Sequence, residues 1–161
     1  MTLRSTAPWL LALSLPACYE SNVPIADRAA SLDARLVGQW RCVAPQADDT
    51  VVFSIKQGSG ADLDVEMIEA GKPPDRYRAQ PAKLDGMPLA NVQEIGEDGK
   101  PGKWVLARYT LHRPNLLEME IAQEKAFEGA PAGTSPREVA RKHLKAGDLF
   151  EPFCACVRMR P

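Results

Sequence analysis

The sequence lacks a hydrophobic run long enough to cross a membrane. Its longest mainly apolar stretch, from Ala7 to Ala17, has about eleven residues, whereas a transmembrane helix needs roughly 20. Neither sign of charge is in large excess, because 20 Lys and Arg against 21 Asp and Glu leave a net charge of −1. This balance excludes a global positive field that would recruit nucleic acid or an anionic membrane.

Signatures of catalysis and metal binding are missing as well. The sequence has no Gly-x-Ser-x-Gly nucleophile turn, no His-x-x-x-His and no Cys-x-x-Cys. We predict that both histidines, His112 and His143, lie at the surface. We predict that Cys154 and Cys156 belong to the residues that form a disulfide rather than to a zinc site. We therefore expect no cofactor, no metal and no enzymatic activity.

The first eighteen residues place a basic residue, Arg4, before the apolar stretch and end in LPAC at positions 15–18. This order is typical of a signal peptide, the alternative being a buried N-terminal strand or helix. Ordinary cleavage requires a small residue three positions before the cut, and Leu15 is too large. LPAC instead resembles the lipobox of bacterial lipoproteins.

That resemblance implies cleavage before Cys18, a diacylglyceryl thioether on its sulfur and N-acylation, which together give a stable membrane anchor. The residue after Cys18 is Tyr19 rather than Asp. This resembles the pattern of lipoproteins that are sorted to the periplasmic face of the outer membrane. The implied organisation is a signal peptide at 1–17, a lipidated N-terminus and polar spacer at 18–30, and a single domain at 31–161. Fully extended, the spacer would reach roughly 40 Å.

The mature chain consists mainly of short apolar–polar alternations separated by turn residues. The predicted strands are 36–42, 50–57, 63–70, 76–84, 87–95, 103–112, 116–123 and 154–160. Asp85-Gly86 is a favoured hairpin pair. One helix is predicted at 135–146, with Ser135 as N-cap, Glu138 completing a capping box and Gly147 ending it.

This pattern predicts an all-β fold with one helix. Strands at close spacing joined by hairpins favour a barrel or a sandwich, and a simple meander of about eight strands favours the closed antiparallel barrel. The helix lies before the last strand.

The segment LDARLVGQW at 32–40 contains Gly-x-Trp, formed by Gly38 and Trp40. It resembles the first strand of lipocalin and calycin barrels. The resemblance implies that Trp40 closes one barrel end, packed by Arg158 or Arg160 from the last strand; the alternative is an ordinary core aromatic residue.

If Cys18 carries lipid, three cysteines remain. Cys154 and Cys156 are two apart on one strand, so a bond between them would be strained, and Cys42 is predicted to pair with Cys156 or, second, with Cys154. In an antiparallel register with Cys42 opposite Cys156, Trp40 lies opposite Arg158. However, Phe153, Ala155, Val157 and Met159 form the apolar face of that strand and should point inward, so this register requires a bulge or a change of side.

The expected function is a non-enzymatic binding or structural module of the cell envelope. The expected partners are the membrane, through Cys18, and a small apolar ligand or an envelope protein; we expect a monomer. The proposed ligand-lining residues are Phe53, Asn91, Gln93 and Tyr109, although Asn91 and Gln93 could instead point outward with Ala90 and Val92 inward. The alternative is a protein inhibitor, because small barrel lipoproteins that block lysozymes resemble this plan.

Overall fold

The computed structural model describes residues 18–45 and 50–160, and the expected signal peptide lies outside them. The strands are β1 (Asp27–Arg28), β2 (Gly38–Val43), β3 (Thr50–Gln57), β4 (Leu63–Ile68), β5 (Asp75–Leu84), β6 (Met87–Ile95), β7 (Pro101–His112), β8 (Leu116–Ala122) and β9 (Phe150–Arg158). The helix α1 spans Pro136–Ala146, and short 3₁₀ turns lie at Ala34–Leu36 and Glu124–Ala126. No helix within these residues combines the length and apolar composition that a membrane span requires.

Strands β2 to β9 form a closed antiparallel barrel. The spatial order is β5-β4-β3-β2-β9-β8-β7-β6, and β6 pairs back with β5. The predicted eight-stranded barrel with a helix before the last strand is therefore confirmed. Closure satisfies the backbone hydrogen bonds that an open sheet would leave exposed at its edges.

Local sequence signals explain several of the elements. Asp85 and Gly86 both adopt positive φ angles, 48° and 83°, as a two-residue type I′ hairpin requires. Ser135 accepts a hydrogen bond from the backbone of Glu138, whose side chain returns one to the Ser135 backbone, forming the predicted capping box. Gly147 ends α1 in the left-handed conformation, with φ of 80°.

The barrel has two distinct ends. The end where β2 begins at Gly38 and β9 ends at Arg158 is called the sealed end. The open end lies opposite, where β2 ends at Val43, β4 ends at Ile68 and β9 begins at Phe150. Because the barrel strands are antiparallel neighbours, each of β2 to β9 runs from one of these ends to the other.

Apolar side chains form one core inside the barrel and a second core on its outer surface. The buried interior residues are Leu36, Trp40, Cys42, Phe53, Ile55, Leu63, Ala79, Ala90, Leu117, Cys154 and Cys156. The buried outer residues are Ile25, Ala26, Ala82, Leu84, Leu89, Leu106, Ala122, Ala126, Ala140 and Leu149. The outer core lies between the barrel wall, α1 and the residues that precede β1.

The residues at 18–29, which we call the N-terminal segment, pack on the barrel. Ser21 and Trp104 exchange two backbone hydrogen bonds of 2.8 Å each. Further along, β1 pairs with β5, and Ile25 is only 1% exposed. Residues 18–29 of the predicted spacer therefore lie against the barrel, because Ile25 and its neighbour Ala26 bury apolar surface in the outer core.

The last strand also differs from its prediction. It begins at Phe150 rather than at 154, and Cys154 and Cys156 point inward while Ala155 and Val157 are exposed. The prediction that the set containing Ala155 and Val157 points inward is wrong. Phe153 has no partner in the β8–β9 register, so it is the extra residue of a bulge that lets it pack inside the barrel next to Cys154.

Candidate functional site

The sealed end is closed by Trp40 and Arg158. These residues lie opposite each other on β2 and β9, as predicted, and Trp40 is completely buried. The Arg158 guanidinium carbon lies 4.3 Å from the centre of the Trp40 ring, a cation–π geometry. The indole Nε1 donates to the Leu36 carbonyl at 2.8 Å, which ties the ring to the 3₁₀ turn below it.

Arg158 also binds the backbone around the sealed end. Its guanidinium donates to the carbonyl oxygens of Val37, Arg35 and Pro114. Gly38 makes this approach feasible, because a Cβ at that position would lie 2.6 Å from Arg158 Nη1. The glycine of the Gly-x-Trp pattern therefore leaves space for the arginine that covers the tryptophan.

The predicted disulfide between Cys42 and Cys156 is confirmed, and Cys156 rather than Cys154 is the partner. It joins β2 to β9 inside the barrel and closes a sequence separation of 114 residues. Cys154 remains a free thiol that is 5% exposed. Burial raises the pKa of this thiol to about 12, so Cys154 is protonated at neutral pH.

The open end is lined by apolar side chains that stay partly exposed. They pack against the interior core without being covered: Val51, Val65, Met67, Val92 and Phe153. A depression of about 200 Å³ adjoins this end, between residues 72–76 and 94–97. The open end thus presents interior apolar side chains that are only partly buried, whereas Trp40 at the sealed end is completely buried.

Cys18 lies at the open end. It forms a β-bridge with Gln123, just beyond β8, and the Tyr19 amide donates to the Ala122 carbonyl at 2.9 Å. The Tyr19 ring stacks on Phe127 with ring centres 3.6 Å apart. These contacts hold the residue that the lipobox resemblance marks for modification directly against the barrel.

The surroundings of Cys18 are acidic. Burial first, and then the nearby carboxylate of Glu20, raise the pKa of the Cys18 thiol, with smaller contributions from Glu151 and Glu124. One carboxylate oxygen of Glu151 is buried and has no hydrogen-bond partner among the described residues. This end of the barrel therefore offers acceptor oxygens and disfavours a further negative charge.

Tyr77 brings a phenol to the same end. It lies two residues before Ala79 on β5, on the face that points into the barrel. Burial, followed by the nearby carboxylates of Asp75 and Glu94, raises the pKa of Tyr77 from 10.0 to about 12. Cys18 makes a smaller contribution in the same direction to the pKa of Tyr77.

The predicted ligand-lining residues do not form one site. Phe53 is buried inside the barrel, and Tyr109 packs against the same interior core below the sealed end, where the Asp33 backbone lies beside its hydroxyl. Asn91 and Gln93 lie on the outer face instead, since their neighbours Ala90 and Val92 belong to the interior core. The alternative of outward amides therefore describes the structure.

Asn91 has a structural role on that outer face. Its Oδ1 accepts from the amides of Ile25 at 3.2 Å and Ala26 at 3.1 Å, and its Nδ2 donates to the Ala26 carbonyl at 2.9 Å. These hydrogen bonds are all buried, and they satisfy the polar atoms of an amide that has no access to water. Gln93 donates to the Gly102 carbonyl at 3.1 Å at the surface.

The histidines lie away from the cysteines. His112 contacts Glu118 at 2.7 Å, and His143 contacts Asp148 at 2.9 Å, both at the surface. In the part of the chain that the structure describes, the one group of three metal-binding side chains is Cys42, Cys154 and Cys156, whose sulfur atoms all lie within 4.8 Å of one another.

Sequence reasoning missed Tyr77, Glu151 and the anchoring of the N-terminal segment. The inward orientation of Tyr77 could have been predicted from the alternation of β5, because Tyr77 lies on the same face as Ala79. The apolar residues Leu89, Trp104 and Leu106 signal a covered outer face, since three outward apolar side chains on neighbouring strands require something to cover them.

Comparison of the chain with protein-family models, with curated proteins and with solved structures found no match.

Proposed function

We propose that this protein is a lipid-anchored module of the bacterial cell envelope that binds a small amphipathic molecule at the open end of its barrel. The observation that carries the proposal is the uncovered apolar lining at that end. Val65, Met67 and Val92 keep exposed surface although they pack against the interior core. A ligand that covers this surface gains roughly 25 cal/mol for each Å² of apolar area removed from water.

The charges at the open end narrow the class of ligand. Glu20, Glu124 and Glu151 raise the pKa of Cys18, and one carboxylate oxygen of Glu151 is buried without a hydrogen-bond partner among the described residues. A head group that donates hydrogen bonds and carries no negative charge suits this environment best. We therefore expect an alkyl chain with a neutral hydroxylated head, such as a monoacylglycerol, to bind better than a fatty acid.

The position of Cys18 supports an anchor at the same end. Tyr19 and the residues after it are bound to the barrel wall, so Cys18 is held at the open end. Acyl chains attached to Cys18 would therefore project from the protein next to the partly exposed apolar lining. The open end would then face the lipid surface, and an amphipathic molecule could move between membrane and barrel without crossing water.

Binding can be tested by calorimetric titration of the mature domain with a short-chain monoacylglycerol and with the fatty acid of the same chain length. The monoacylglycerol should bind more tightly. Met67→Arg should weaken binding by about 100-fold or more, because a ligand would have to bury an unpaired charge. Ile68→Arg is the matched control, since Ile68 is the next residue on β4 and lies on the outer face, 39% exposed.

Met67→Ala provides a second variant in case Met67→Arg disturbs folding. It removes lining atoms without adding charge, so it should weaken binding while the thermal midpoint stays close to that of the parent protein. Equal binding by the parent, Met67→Arg and Met67→Ala proteins, or no binding of either amphiphile, would overturn the proposed site.

The anchor is tested separately by mass spectrometry of the protein extracted from bacterial membranes. We expect a chain that begins at Cys18 and carries the mass of a diacylglyceryl group and an N-acyl chain. Cys18→Ala should leave the protein unprocessed and unacylated. A mature protein without lipid would contradict the anchor, and the binding experiment on the soluble domain would still stand on its own result.

A further inference from the structure

The free thiol of Cys154 is the buried nucleophilic group that neither the fold nor the proposed function uses. Its Sγ lies 3.7 Å from the Sγ of Cys156, inside the barrel and next to the disulfide. A serine or alanine would fit such a position more simply if only packing mattered, because a buried thiol beside a disulfide is open to exchange chemistry.

From this geometry we infer that Cys42, Cys154 and Cys156, once their disulfide is reduced, form a buried trithiol site for a soft monovalent cation of the Cu(I) class. The three sulfurs come from two adjacent strands and all lie within 4.8 Å of one another. A separation of 3.7 Å between Cys154 and Cys156 suits three sulfurs placed around one metal ion, at metal–sulfur distances close to the Zn–S value of about 2.3 Å.

The donor set selects the metal. It consists of sulfur alone among the described residues, and thiolate and thioether ligands favour Cu(I) over harder ions. Met119 lies directly opposite Cys154 on β8 and packs into the same interior core, so its thioether adds a further soft donor on this side. Zinc normally requires four ligands in a tetrahedron, and three thiols fall one short.

The chemistry balances in two steps. A dithiol reductant transfers two electrons to the Cys42–Cys156 disulfide, which gives two thiols on the protein and one disulfide on the reductant. Cu(I) then displaces protons from the protein thiols to solvent as its bonds to sulfur form. Both steps require reducing conditions, and the disulfide sets the stronger requirement, because a structural disulfide resists weak reductants.

The test uses the whole chain from residue 18, expressed without the signal peptide so that Cys18 keeps its thiol, then reduced with a dithiol, desalted without oxygen and titrated with Cu(I) held by the chromophoric chelator bicinchoninate. The reduced protein should remove one Cu(I) per chain from the chelator, and the oxidised protein should remove none. Cys154→Ala should weaken Cu(I) binding by about 100-fold or more, because it removes a direct ligand, and the loss of an outer-shell partner alone costs about 10- to 100-fold at a metal site. Cys18→Ala is the matched control, because it removes a thiol outside the cluster and should leave binding unchanged.

A second readout separates a folded site from thiols of an unfolded chain. One equivalent of Cu(I) should raise the thermal midpoint of the reduced protein and not that of reduced Cys154→Ala, because only a ligand held by the folded state stabilises it. Equal affinities for the reduced parent and Cys154→Ala, a loss in Cys18→Ala as large as in Cys154→Ala, or no rise in the midpoint would each overturn the inference.

Discussion

The two ends of the barrel are built from similar residues and reach opposite outcomes. At the sealed end Trp40 is fully buried under Arg158, whose guanidinium reaches three backbone carbonyls. At the open end Val65 and Met67 lie on the same interior face but remain partly exposed. The difference shows that Arg158 and the 3₁₀ turn at 34–36 cover Trp40 completely, whereas Val65 and Met67 keep exposed surface.

The disulfide gives the largest expected effect on stability. Replacing both Cys42 and Cys156 by Ala should lower the free energy of unfolding by about 4 kcal/mol, because the bond closes a loop of more than a hundred residues in the unfolded chain. Denaturant unfolding of the purified domain measures this change. Cys154→Ala is the control, and a loss there as large as in the double variant would contradict the assigned pairing.

Matched truncations compare the two ends directly. Leu117→Ala, in the completely buried part of the interior near the sealed end, should cost about 3 kcal/mol, whereas Met67→Ala should cost about 1 kcal/mol because its side chain is already partly exposed. Both residues have similar volume, so the difference reports the packing of each end. Equal costs in chemical denaturation would remove the distinction between sealed and open ends.

The arginine cover should have a smaller effect. Arg158→Lys should cost about 1 to 2 kcal/mol, because lysine keeps the charge but cannot stack on Trp40 and reach the surrounding carbonyls together. Gly38→Ala should also lower the free energy of unfolding. The new Cβ would displace the Arg158 guanidinium, and Gly38 has a φ angle of 139°, which strains any other residue. If the double variant loses the sum of the two single losses, the residues act independently and this explanation is incorrect.

The phenol at the open end gives the smallest expected effect, confined to alkaline solution. Because the folded pKa of Tyr77 is about 12 against an ordinary value of 10.0, the folded state favours the neutral phenol. Its contribution to stability is complete below pH 10 and is lost as the pH rises through 12. Burial also raises the pKa of Tyr109, so ultraviolet titration should show late-ionising tyrosines, and Tyr77→Phe should remove the part of that late phase near pH 12. An unchanged late phase in that variant would assign it elsewhere.

The barrel was predictable because its signals are local. The strands at 50–57 and 87–95 have their predicted bounds, the Asp85-Gly86 turn fixes one hairpin, and the cysteine register places Trp40 opposite Arg158. The alternation of apolar and polar residues determined which side chains of most strands point inward.

The remaining features depend on contacts between distant residues. Pro152 and the bulge at Phe153 shift the parity of β9, so its inward face could not be assigned from alternation alone. Asn91 appeared as a ligand-lining amide because its partners, the backbone groups of Ile25 and Ala26, lie more than sixty positions away in the sequence. The acidic character of the open end likewise combines residues from five separate parts of the chain.

Photolabelling tests the functional difference between the two ends most directly. The mature domain is irradiated with a monoacylglycerol whose alkyl chain carries a diazirine, and the labelled residues are identified by peptide mass spectrometry. The proposed site predicts labels on the open-end lining around Val51, Val65, Met67 and Phe153, which an unlabelled monoacylglycerol displaces by competition. Labels that resist competition, or that fall on the sealed end around Trp40 and Leu117, would contradict it.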